Sequence, residues 1–233
     1  APLCASWRPR RAVATHVAPT MGALLVLPTS MDSFLFSWQR AWAGIGAAGE
    51  GGALFARLMA AYAEPQRHYH TQQHLGECLS AFDAARALAE RPDEVEVALW
   101  FHDAIYALRG PDNEQRSADW AVKELAACGA TAAIQARVHA LIMATCHNAV
   151  PSDPDQQLLV DIDLAILGAA PARFSEYDRQ VREEYSWVPG LLYRIKRKAV
   201  LKHFLSRERL YNTDHFQEHY EDQARINLKT AIG

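Results

Sequence analysis

Apolar side chains recur every three or four positions from Met31 onward, which is the spacing of amphipathic helices. Glycine and proline residues separate these runs, so the pattern predicts a series of helices joined by short connections. We find no alternation typical of strands and no internal repeat. The predicted helical segments cover residues 34–42, 54–62, 75–88, 95–105, 113–128, 131–146, 155–167, 171–188, 191–206 and 214–230.

A succession of helices without strands predicts an all-α bundle, and we expect one domain spanning residues 31–233. The length of 233 residues and the hydrophobic content of 50% allow a substantial core. Residues 1–30 differ from the rest, because they contain Arg8, Arg10 and Arg11 and no acidic residue. We expect this stretch to be a disordered leader, or an extension upstream of a natural start at Met21 or Met31.

Charge and cysteine content narrow the choice of partners and setting. The chain has 24 Lys and Arg residues against 27 Asp and Glu residues, a formal net charge of −3. This balance gives no electrostatic reason to expect nucleic acid, and no run of about 18 apolar residues predicts a membrane span, so we expect neither partner. The cysteines stand singly at Cys4, Cys78, Cys128 and Cys146, which disfavours a structural zinc site and fits a reducing, cytoplasmic setting.

Metal-ligand residue types concentrate in three places along the chain. His70 and His74 lie four residues apart, and a His102–Asp103 pair and the acidic residues Asp161 and Asp163 stand inside apolar runs. An ionised carboxylate in a buried helix is costly unless it is paired or bound to a metal. Nitrogen and oxygen donors together suit Mn, Fe, Zn, Ni or Co better than calcium. The pattern therefore favours a transition-metal site.

The order of these residues resembles the HD-domain metal-dependent phosphohydrolases, whose signature is a His, a distant His-Asp pair and a later Asp. The chain is most similar to a bacterial branch of this superfamily of predicted metal-dependent phosphohydrolases. The resemblance runs from about residue 32 to 229. Its segments are Arg67–His70, Trp100–Asp103, Asp112–Glu114, Arg116–Ala118, Asp161–Gly168, Arg182–Tyr185 and Phe204–Arg207.

The resemblance implies an HD-domain-like helical bundle with a divalent metal, which is Mn, Ni, Co, Fe or Zn, or else Mg. The implied metal ligands are His74, His102, Asp103 and Asp163. Asp161 is the alternative to Asp163, which we prefer because of the leucine that follows it. Asp103 would also orient the attacking water or take its proton.

The resemblance further implies that the enzyme cleaves a phosphate ester of a small metabolite, most plausibly a nucleotide, as a phosphomonoesterase or phosphodiesterase. Tyr106 stands where some HD nucleotidases have a Glu, so we assign the acid/base role to Glu114. The implied substrate-binding residues are Arg67, His70, Arg116 and His147. Two-metal relatives use two more histidines before the last Asp; His139 and His147 lie in that interval, and of these we favour His147 for the site.

Two other functions stay open at this point. An HD-type helical site can also hold two irons and carry out oxygen-dependent cleavage. The chain can also be a non-catalytic, metal-containing protein that binds a ligand or regulates a partner. Tyr106 at the usual Glu position is compatible with this interpretation.

Overall fold

The computed structural model describes residues 30–233, and these residues form α-helices, two short 3-10 helices and no strand. The 3-10 helices are Arg86–Leu88 and Leu164–Gly168. The α-helices are α1 (Met31–Gly44), α2 (Gly52–Ala61), α3 (Gln72–Ala85), α4 (Pro92–Phe101), α5 (Asn113–Ala127), α6 (Ala132–Ala144), α7 (Pro154–Asp163), α8 (Pro171–Glu184), α9 (Gly190–Leu205) and α10 (Asp214–Ile232).

Helix α4 forms the centre of the bundle. Its side chains from Glu94 to Phe101 are all buried, and it contacts α1, α3, α5, α6 and α7. The acid Glu96 is fully buried inside this apolar surface, where its carboxylate accepts hydrogen bonds from Ser37 and Arg40 of α1. Because α4 is enclosed on all sides, the residues at its C-terminal end are held in a fixed position.

A second buried acid ties α7 to the start of α10. Asp161 is fully buried, and its carboxylate accepts hydrogen bonds at 2.7–2.9 Å from the backbone and side chains of Asn212 and Thr213. The hydroxyl of Thr213 also caps the N-terminus of α10. Asp161 therefore has a structural role. Asp163, two residues later at the end of α7, does not take part in these bonds.

The all-α fold predicted from the sequence is confirmed. Some boundaries differ in detail: the predicted segment 155–167 divides into α7 and the 3-10 helix Leu164–Gly168, and α4 ends at Phe101 instead of continuing to residue 105. The first difference arises because the tighter helix packs closely on α10. The expectation for residues 1–30 falls outside the described residues except for Ser30. No helix in the described part is long and apolar enough to cross a membrane.

The 3-10 helix Leu164–Gly168 predicts the effect of one substitution. A Cβ at Gly168 would lie 2.6 Å from the backbone oxygen of Tyr220 in α10, which has little freedom to move. We expect Gly168→Ala to lower the free energy of unfolding by about 2 kcal/mol through overpacking. Gly190→Ala is the matched control, because a Cβ there meets nothing within 4 Å. Urea unfolding measures both; equal stabilities for the two variants would contradict this packing.

Candidate metal centre

Three helix ends bring the predicted metal ligands together. His74 lies in the first turn of α3, His102 and Asp103 directly follow α4, and Asp163 is the last residue of α7. The C-terminal ends of α4 and α7 carry partial negative charge, which favours a cation between them. Thr71 caps the N-terminus of α3, just before His74, since its hydroxyl accepts a hydrogen bond from the backbone N–H of Gln73.

The donor atoms of these side chains converge on one point. His74 Nε2 lies 3.1 Å from His102 Nε2, 3.4 Å from Asp103 Oδ2 and 3.3 Å from Asp163 Oδ1. His102 Nε2 lies 3.0 Å from Asp103 Oδ2 and 3.8 Å from Asp163 Oδ1. Ligands bonded at about 2.1 Å to one ion lie about 3.0 Å apart in an octahedron and about 3.4 Å apart in a tetrahedron. The observed separations fit a single divalent ion.

The tautomer of His102 suits a metal ligand. Its Nδ1 lies 2.7 Å from the carbonyl oxygen of Leu99, so Nδ1 carries the proton and donates it. In the neutral ring Nε2 then keeps its lone pair, and this is the atom that faces the other donors.

The two carboxylates of the cluster make it favourable for positive charge. Burial by itself lowers the pKa of His102, but the charge and hydrogen bond of Asp103 together with the charge of Asp163 outweigh it, and the net pKa is raised above the ordinary value of 6.5. Burial by itself raises the pKa of Asp163, but hydrogen bonds from His147 and His74 lower it below 3.8. Burial likewise raises the pKa of Asp103, but the charges of His102 and His70 and the hydrogen bonds from His102 and His74 lower it well below 3.8. Both carboxylates therefore stay ionised, and a divalent cation would balance their charge without placing two protonated imidazoles 3.1 Å apart.

The cluster is buried on one side and open on the other. The side chains of His74 and His102 are 2% and 1% exposed, whereas those of Asp103 and Asp163 are 14% and 16% exposed. His70 and His147 border the open side and are 20% and 22% exposed. An ion held by these residues keeps a position that water or a substrate can reach, which is typical of catalytic and not of structural sites.

Cys78 adds a donor that the sequence analysis missed. Its sulfur lies 3.7 Å from both ring nitrogens of His74, one turn along α3. The donor atoms of His74, Cys78, His102 and Asp163 all lie within 4.8 Å of one another. The signal was present in the sequence, because Cys78 follows His74 by four residues and so shares its helix face.

His147 occupies the far side of Asp163. Its Nε2 lies 2.9 Å from Asp163 Oδ2, the oxygen that faces away from the other donors. The residue has φ 54°, a left-handed conformation that is costly for a side chain other than glycine and that recurs at functional sites. Its buried Nδ1 has no partner among the described residues. His139, the other histidine of this interval, instead contacts Gln115 and Asp119 of α5.

Glu184 of α8 holds the loop that carries His70, and the sequence analysis gave it no role. One carboxylate oxygen accepts the backbone N–H groups of His68, Tyr69 and His70 at 2.8–3.0 Å. The other oxygen lies 2.7 Å from His70 Nδ1 and accepts the Tyr106 hydroxyl at 3.1 Å. The rings of His70 and Tyr106 stack 4.0 Å apart. His70 is thus fixed at the rim with its Nε2 left for another partner.

Arg67 holds the backbone around the His-Asp pair. Its buried guanidinium donates to the carbonyl oxygens of His70, Asp103 and Ala104 and to the carboxylate of Glu64. These bonds leave one of its five N–H groups free. The phosphate contact predicted for Arg67 stays a prediction, and the role this structure shows is structural.

The remaining predicted residues lie farther from the donors. Arg116 is exposed and lines a groove of about 600 Å³ between α2 and α5, whose wall includes Ala104 and Tyr106. Glu114 lies near Cys146, whose pKa is raised by burial and by this acid. The acid/base role of Glu114 and the substrate contact of Arg116 both stay predictions. Asp161 is outside the cluster, as its bonds to the start of α10 require.

Comparison of the chain with models of protein families, with curated proteins and with solved structures found no match. The resemblance stated above therefore stays a prediction, and the geometry of the site carries the functional argument.

The buried charge of Glu184 should make the stability difference between the parent chain and a Glu184→Gln variant depend on pH. Burial alone would raise its pKa, but the hydrogen bond and charge of His70 and the loop N–H groups outweigh it and lower the pKa from 4.5 to about 2. The charged form therefore stabilises the fold fully above pH 4.5, and this contribution is lost as the pH falls towards 2. We expect Glu184→Gln to be less stable than the parent chain by about 3 kcal/mol at pH 7.

Urea unfolding of both proteins at pH 7, 4 and 3 measures this difference, which should shrink as the pH falls. Glu183→Gln is the matched control, because the side chain of Glu183 is half exposed and its one polar side-chain contact within residues 30–233 is with His68. A gap that stays constant from pH 7 to pH 3 would contradict the role given to the Glu184 charge.

Proposed function

We propose that this chain is a metal-dependent phosphohydrolase of the HD-domain type, acting on a phosphate ester of a small metabolite such as a nucleotide. The observation that carries the proposal is the convergence of His74, His102, Asp103 and Asp163 at the distances of ligands around one ion, with an open side. The order of these residues along the chain supports the same family, as a resemblance.

The donor set fits the chemistry of hydrolysis. A divalent ion lowers the pKa of bound water and polarises a phosphoryl oxygen, and both effects favour attack on phosphorus. Asp103 has a partly exposed carboxylate beside the shared point, so it can orient the water and accept its proton. The buried imidazoles of His74 and His102 hold their positions, which keeps the geometry ready before substrate arrives.

The rim of the site suits a phosphate group. His70 offers Nε2 while Glu184 holds its Nδ1 side, and His147 lies on the opposite side of Asp163. When protonated, His70 donates from this Nε2 atom to an outer oxygen of a phosphate in the opening, while His147 holds Asp163 in place. The exposed Arg116 lines the same groove as Tyr106 and is available to a part of the substrate that extends into this groove.

One contact favours a second ion. Asp163 directs its Oδ1 towards His74 and its Oδ2 towards His147, so Asp163 and His147 would be the residues that hold such an ion. Two irons per chain would favour the oxygen-dependent reaction over hydrolysis. Metal content distinguishes these alternatives.

The proposal predicts metal content and phosphate release together. We expect the purified protein to hold a divalent transition metal and to release phosphate from a panel of phosphate esters. The double variant His102→Ala/Asp103→Ala removes two donors, so we expect it to lose the metal and at least 99% of the activity, an effect of about 3 kcal/mol or more on the barrier. Elemental analysis and a phosphate assay measure both quantities.

The matched control is His139→Ala, which removes a histidine that contacts α5 and lies outside the cluster. It should keep the metal and the activity. Metal without turnover on any ester would support the oxygenase or binding functions instead. A protein that takes up no metal after Mn, Ni or Zn is supplied would contradict the site itself.

A further inference from the structure

One arginine near the metal centre has a partly buried charge that nothing in the described residues neutralises. The guanidinium of Arg207 makes no hydrogen bond or ion pair within residues 30–233 and lies over the ring of Phe204, 4.7 Å from its centroid. Arg109, Arg116, Arg179 and Arg194 also lack such bonds in this range, but all of them are exposed. Burial lowers the pKa of Arg207, and no acid compensates.

A partly buried cation without a counter-charge is unfavourable and needs a reason. One structural reason would be to satisfy the carbonyl groups at the C-terminal end of α9. Arg225 already does this: its guanidinium donates to the carbonyl oxygens of Leu205, Arg207 and Glu208 at 2.7–3.3 Å. The side chain of Arg207 is therefore left without a role in ending the helix.

The position of Arg207 relates it to the metal centre. The ring of Phe204 lies against His147 with centroids 6.2 Å apart, and His147 is hydrogen-bonded to Asp163. Arg207 thus lies one aromatic ring beyond the residue that borders the opening. Arg207 makes no bond to the four donors, so it is available to a group of the substrate other than the phosphate at the metal.

The charge around Arg207 agrees with an anionic ligand. Helix α9, which ends just before it, contains Arg194, Lys196, Arg197, Lys198 and Lys202 and no acidic residue. The last turn holds Lys202 and His203, both exposed. Arg197 pairs with Asp178 and Lys198 donates to the carbonyl oxygen of Gly233, so Lys202 is the lysine of this run that adds unpaired positive charge closest in sequence to Arg207 among the described residues.

We propose that Arg207 binds a second anionic group of the substrate, so that the preferred substrate carries two phosphate or carboxylate groups. This inference rests on the proposed function, since it takes the metal centre as the place of the first group. The planar guanidinium is suited to two-point contact with phosphate or carboxylate, and it lies over the ring of Phe204.

The test uses non-hydrolysable probes that differ in one anionic group. Propylphosphonate and propylene-1,3-diphosphonate are titrated into the metal-supplied protein by calorimetry. We expect the diphosphonate to bind about 10- to 100-fold more tightly, and Arg207→Ala to bring this ratio close to one while leaving the affinity for the monophosphonate unchanged. Arg207→Lys keeps the charge and should recover part of the ratio.

Arg209→Ala is the matched control, because Arg209 is exposed, lies two residues away and pairs with Asp214 at 2.8 Å. It should keep the parent ratio. A parent protein that binds both probes equally, or an Arg207→Ala variant that keeps the parent ratio, would overturn the inference. Thermal unfolding of each variant shows that the comparison uses folded protein.

Phosphate release from 4-nitrophenyl phosphate is measured on the same samples. Hydrolysis of this ester without a preference for the diphosphonate would overturn the inference about Arg207 and support the proposed function. A preference for the diphosphonate that depends on Arg207, without hydrolysis of any ester, would support the anion site and contradict the proposed function.

Discussion

The main constraint on the candidate site is electrostatic: two carboxylates lie among buried groups at the ends of packed helices. Asp103 and Asp163 meet His74 and His102 where α4 and α7 end, and neither acid has a lysine or arginine partner among the described residues. Ionised carboxylates in such a place are unfavourable without compensating charge. The enclosed position of α4 keeps the donors together, so the cost is met by a bound cation or by protonated imidazoles.

Other buried charges show what compensation looks like in this chain. The carboxylate of Glu96 accepts a hydrogen bond from Arg40, and that of Asp161 accepts from the backbone N–H groups of Asn212 and Thr213. The carboxylate of Glu184 accepts from backbone N–H groups of the loop that carries His70. Each of these acids joins elements that are distant in sequence. Asp103 and Asp163 differ, because one oxygen of each faces the ring nitrogens of His74 and His102 instead of backbone N–H groups or an arginine. This contrast separates carboxylates that hold the fold together from the two carboxylates of the candidate metal centre.

The sequence predicted the fold class and the four convergent donors, but not the bonds that position them. Helical spacing and proline or glycine boundaries are local signals, so the elements followed from them. Glu184 could not be assigned, because its contacts with residues 68–70 are more than 110 positions away along the chain. Arg67 illustrates a different limit, since a guanidinium suits carbonyl oxygens as well as phosphate and only the folded chain shows which it meets. Cys78 was within reach, since its spacing from His74 was visible.

Anomalous diffraction from crystals supplied with Mn²⁺ or Co²⁺ shows whether the four donors hold a metal, because it locates the ion independently of any substrate. We expect one anomalous peak within about 2.4 Å of His74 Nε2, His102 Nε2, an Asp103 oxygen and an Asp163 oxygen. A second, weaker peak between Asp163 and His147 would extend the site to two ions. No peak at this point, or a peak held by other residues while these four side chains bond only to one another, would contradict the account.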